Sequence, residues 1–145
     1  MLCVNGYTKP YVEVCRSKFA EQASAYQALV EAAGHGQAAK EPKVKTALSA
    51  FERHLFNNMV LALDSHFAHR AKASEKKDGN PLNEVRMLSN SIMSNDNVMT
   101  ADKTIKYNPE KSVLKLRIGD MISLSAADFT RLAAAYLAEI EAKYV

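Results

Sequence analysis

The sequence has no tryptophan and little cysteine, glycine or proline, and each shortage closes a class of function. Without tryptophan, and with its tyrosines scattered, the chain offers no stacking platform for single-stranded nucleic acid. Five glycines leave no phosphate-cradling loop: Gly34-His35-Gly36 lacks the rest of that pattern, and no serine sits in a Gly-x-Ser-x-Gly turn. The two cysteines, Cys3 and Cys15, have neither the number nor the spacing of a disulfide framework or a zinc site, so reduced thiols are expected. No apolar run approaches the roughly 20 residues of a membrane span. The opening MLCVNGYTKPYVEV has no basic segment followed by an apolar core, so a signal peptide is not expected and a cytoplasmic protein is. The formal charge of +3, from 19 basic against 16 acidic side chains, argues for solubility and against a polyanionic partner.

What is present is helical texture. At 145 residues and 48% hydrophobic, the chain suits one domain spanning 1–145, with enough apolar surface to fold without a staple. Thr8 and Pro10 predict a first helix from near Lys9, with Val12, Cys15, Phe19, Ala23, Tyr26, Val30 and Ala33 on one face and Gly34 ending it. The loop HGQAAKEP follows, with His35 exposed and idle. Pro42 opens a second helix expected to run to about Lys72, apolar on almost every side through Phe51, Leu55, Phe56, Met59, Val60, Ala62, Leu63 and Phe67. The spacing places Asn58 near its buried stripe and Asn57 in solvent. Asn80-Pro81 caps a third helix with Leu82, Val85, Leu88 and Ile92 inward, antiparallel to the second. Ser125 and Asp128 resemble a capping box, so a fourth helix runs to Tyr144.

Between the third and fourth helices the period falls to two. Ile105 and Tyr107, then Leu114, Leu116 and Ile118, then Ile122 and Leu124 alternate with polar residues, and Asn108-Pro109 and Gly119-Asp120 supply turns. The fold expected is therefore α+β and mainly helical: an antiparallel bundle around a long central helix, with a short β-meander before the C-terminal helix. The stretches FNNMVLALD, KDGNPLNEVR and DKTIKYNPEKSVLKL together resemble a family of small bacterial proteins without an assigned activity. The resemblance covers most of the chain from Phe51 onward. It implies a single domain in a bacterial cytosol and carries over no catalytic residue.

The chemistry on offer clusters at one place. His66 and His69, three apart on one side of a helix, could share a metal ion if carboxylates such as Asp78, Glu84 or Glu139 completed the set. Neither Glu-x-x-His pairs nor His-Glu-x-x-His accompany them. A protonated imidazole beside the last carbonyls of a helix has a structural use of its own, about 0.3–1 kcal/mol. The sequence names no cofactor. Its first functional reading is a non-enzymatic cytosolic module that binds a protein partner or a second copy of itself, because the central helix has more apolar circumference than its neighbours can cover. The second is a metal- or small-ligand-binding protein, an enzyme included, with a pocket lined by Asn58, His66, His69, Arg70 and Glu84. The third, ranked last, is nucleic-acid contact through Lys115 and Arg117.

Overall fold

The computed structural model describes residues 3–36 and 40–145. Four α-helices carry the fold: α1 (Lys9–Ala33), α2 (Pro42–His66), α3 (Pro81–Ser94) and α4 (Ala126–Tyr144). The predicted starts are realised by the predicted chemistry. Thr8 Oγ1 accepts from Tyr11 N at 3.3 Å, and Asn80 Oδ1 accepts from Leu82 N and Asn83 N. Ser125 and Asp128 form a full capping box, satisfying two otherwise orphaned amides reciprocally. Part of the loop expected after Gly34 lies outside the described residues.

Both α2 and α4 pack against every other helix, with α1 and α3 flanking them. The α1–α2 hairpin turns one face inward. Phe19 and Phe56 both meet Phe129 of α4, with ring centroids 5.7 and 5.8 Å apart, and Phe67 meets Tyr136 at 5.8 Å. From α3, Leu82, Val85 and Leu88 complete this core without exposure.

Two expectations about α2 need correction. It stops at His66 rather than near Lys72, because Arg70 turns back and seals the helix end: Arg70 Nη1 donates to the Phe67 carbonyl at 2.9 Å. Its buried stripe is Phe56, Met59, Val60 and Leu63, so the helix is two-sided, with Phe51 and Ala62 exposed. The asparagines exchange places with that shift. Asn57 is 4% exposed and Asn58 lies in solvent.

The β-meander is absent, and the fold is all-helical among the described residues, with only two isolated bridges, Val4 with Arg70 and Val98 with Met121. The alternation does place Ile105, Ile122 and Leu124 inward. Their backbone, however, is satisfied partly by loop carbonyls, Ile105 N by Asp102 and Ile122 N by Asn97, and partly by helix side chains, instead of by regular strands. Asn57 Nδ2 donates to the Ile122 carbonyl at 2.9 Å, and Asn57 Oδ1 accepts from Leu124 N at 3.2 Å. Glu84 accepts from Val113 N and Leu114 N at 2.8 and 2.9 Å. Ser112 Oγ takes Lys115 N, whose residue sits at φ +57°, a conformation that ends any strand. A period of two is equally the signature of an irregular segment laid across helices with every second side chain inward.

Candidate functional site

The five residues expected to line one pocket lie in three places. Asn58 is exposed midway along α2. His66 and His69 do share a shallow depression of about 330 Å³ with Tyr11, Ala62 and Ser65 at the base of the α1–α2 hairpin. The Tyr11 hydroxyl donates to the His66 carbonyl at 2.8 Å and stands 3.4 Å from its Nδ1, while His69 is exposed. Arg70 faces the interior instead. Glu84, on α3, is engaged by the backbone of 113–114 and does not reach the histidines. The other carboxylates weighed as metal ligands are committed elsewhere: Asp78 to Asn80, Glu139 to Lys143. Among the described residues no group of three or more His, Cys, Asp or Glu side chains is placed to hold a metal ion.

Arg70 enters a dense, buried polar arrangement. Its Nε donates to Glu75 Oε1 at 2.5 Å, and its Nη1 to Tyr136 Oη at 3.1 Å, with Asp64 Oδ1 3.5 Å away. Tyr144 Oη donates to the same Glu75 oxygen at 2.8 Å. An extended segment before α1 closes over this cluster through Val4 N to the His69 carbonyl at 2.8 Å and Tyr7 N to the Tyr144 carbonyl at 2.6 Å. Burial alone would lower the Arg70 pKa, but Tyr136, Glu75 and Asp64 outweigh it and hold the guanidinium charged. Burial, and then Glu75, push the Tyr144 hydroxyl up to about 12, and burial raises Tyr136 as well. Both phenols therefore stay protonated at neutral pH, Tyr144 donating to Glu75 and Tyr136 accepting from Arg70, and both are poor as acids or bases. The arrangement ties α2, α4 and the turn after α2 together; Tyr144, at its edge, also lines an open depression of about 440 Å³ with Lys76, Asp78, Asn80 and Glu139.

Cys15 is buried, and that burial pushes its thiol up, away from the thiolate a nucleophile needs. Burial also raises Glu84, against the lowering effect of its two amide donors. Lys115 and Arg117 project from the loop into solvent.

The outer side of the α1–α2 hairpin, opposite α4, is of a different kind. At about 100° per residue, Tyr11, Val14, Lys18, Gln22, Ala25 and Leu29 make one continuous stripe along α1. Along α2, Ala47, Phe51, His54, Asn58, Ala62 and Ser65 make another, and every one of these positions is exposed. Antiparallel helices present both stripes to one side. Tyr11 shares its depression with Ala62 and Ser65 at the base, and Phe51 stands beside the inward ring of Tyr26, 6.2 Å between centroids, farther along. No known protein family, curated protein or solved structure matches this chain. Its surface must speak for itself. Four of the nine large hydrophobic side chains exposed among the described residues, Tyr11 (37%), Val14 (51%), Leu29 (46%) and Phe51 (47%), lie on this one face. Lys18 is the only formal charge among its twelve stripe positions.

Sequence reasoning missed Asn57, Glu75, Tyr136 and Tyr144 as members of polar networks. The ring of Tyr136 lies in the buried stripe of α4 beside Leu132, Ala133 and Leu137, and Glu75 lies in a charged stretch after α2. No local spacing marks either as a partner of Arg70, since the bond joining 70 to 136 is made only by the fold.

Proposed function

We propose that this chain is a non-enzymatic protein-interaction module and that the outer face of the α1–α2 hairpin is its contact surface. One observation carries the reading: large apolar side chains and small alanines gather, nearly free of charge, on the side of the hairpin that no other helix covers. Isolated exposed apolar residues need no explanation, but this face gathers Tyr11 and Val14 toward its base and Leu29 and Phe51 toward its tip, around a polar middle of Gln22, His54 and Asn58, and such clustering is a mark of a binding surface. A cytosolic setting suits this reading, since both thiols are free.

A photoreactive amino acid at Leu29 or Phe51 tests the proposal in cells that make the protein naturally. Discrete cross-linked species are expected at both positions and not at Thr130, exposed on α4. Equal, featureless labelling at all three would remove the basis for the module.

A further inference from the structure

We infer that the partner on this face is a second copy of the same chain, packed hairpin against hairpin with the two hairpins antiparallel. The inference rests on the proposed contact surface and adds what occupies it.

Size is the first argument. From Tyr11 to Leu29 the stripe of α1 rises about 27 Å, and two adjacent helices are roughly 20 Å across, so the face offers on the order of 500 Å². A self-pairing that used the whole face would bury about 1,000 Å² in total, the lower end of the range of specific interfaces. A short peptide in a groove would leave most of it wet.

Charge is the second. A partner chosen by electrostatic complementarity needs a field to read, and this face supplies only Lys18. An identical face, in a two-fold arrangement, repeats every favourable contact and brings together a single like-charged stripe pair, Lys18 with its copy, whose long side chains can reach solvent. The orientation follows from the tip of the hairpin, where Lys40, Lys43 and Lys45 outnumber Glu41. A parallel pairing would bring the two basic tips together. An antiparallel one separates them by the length of the hairpin, several times the screening length at physiological salt. Shape is compatible as well: Ala25, Ala47 and Ala62 let helices approach closely between the larger Val14, Leu29 and Phe51, giving the four-helix packing by which bundles bury such stripes.

Light scattering on the purified full chain during size exclusion tests the pairing. The 16.0 kDa chain should elute as a species of about twice that mass at micromolar concentration. Leu29→Glu and Phe51→Glu should each weaken pairing on the order of 30-fold or more while retaining the helical circular dichroism of the parent. Met93→Glu, at an exposed apolar residue outside the face, should leave it unchanged. Spin labels at Glu31, exposed near the hairpin tip and off the face, in a Cys3→Ser background should report the long separation of an antiparallel pair. A monomer at all concentrations up to about 100 µM, a dimer indifferent to both face substitutions, or closely spaced labels would each overturn the inference. Monomeric protein that still forms discrete cross-links of another mass at Leu29 in cells would reject self-pairing while leaving the interaction module standing.

Discussion

At the scale of single residues, two adjacent asparagines separate structure from surface. Asn57 holds the Ile122 carbonyl, Leu124 N and Asn97 Oδ1, so removing its amide strands buried backbone groups. Asn57→Ala should cost about 2–4 kcal/mol in urea unfolding, whereas Asn58→Ala should stay within about 0.5 kcal/mol. The Arg70–Glu75 pair obeys a different rule. Glu75→Ala leaves a guanidinium buried with Asp64 as its remaining carboxylate neighbour, and a loss of about 3–5 kcal/mol is expected. The double substitution Arg70→Met with Glu75→Leu should cost less than Glu75→Ala alone, because it deletes the buried charge along with its partner; a thermal melt decides between them. Gly79 is the residue where space is the constraint. At φ +84°, with an added Cβ only 2.9 Å from the Lys106 carbonyl oxygen, Gly79→Ala should destabilise more than Gly119→Ala, which has positive φ but open space.

Among elements, the starts of α1, α3 and α4 were legible because caps are local chemistry: Thr8, Asn80 and Ser125 each bond an amide two or three residues away. The end of α2 was not. Arg70 fits a helical surface as well as it fits an interior, and only the presence of Glu75 and Tyr136 draws it in. Asn57 and Asn58 are likewise interchangeable until the partner segment 122–124 is in place. The segment 104–124 was misread because the alternation of Ile105, Tyr107, Leu114 and Leu116 reports which side chains face the core and says nothing about which groups hold the backbone.

That segment also makes a pH prediction. Glu84 anchors it, and the folded-state pKa of Glu84 lies above the ordinary 4.5. Protonation of this group therefore favours the fold: its contribution is fully present below the unfolded value and is lost as pH rises through the folded one. Asp78, Asp102 and Asp128 are lowered from 3.8, so theirs is present above that value and lost as pH falls through the folded values. Glu84→Gln should accordingly flatten the decline in stability above about pH 4.5 and leave the acid limb, set by the aspartates, in place; denaturation across pH reads both slopes.

On the scale of the whole molecule, the candidate site is best understood by what the bundle leaves uncovered. The four helices close one core, and the hairpin of the two longest keeps a second, nearly uncharged side. The histidines lie at the base of that side, whereas Arg70 joins a buried network with Glu75 and Tyr136.

The side-chain anchoring of 104–124 has a last consequence. Because Asn57 and Glu84 already occupy the amides and carbonyl they reach, that stretch offers at those points no open edge for another polypeptide to extend. Association of copies through those points would then have to bury side chains, with no template there for fibril growth.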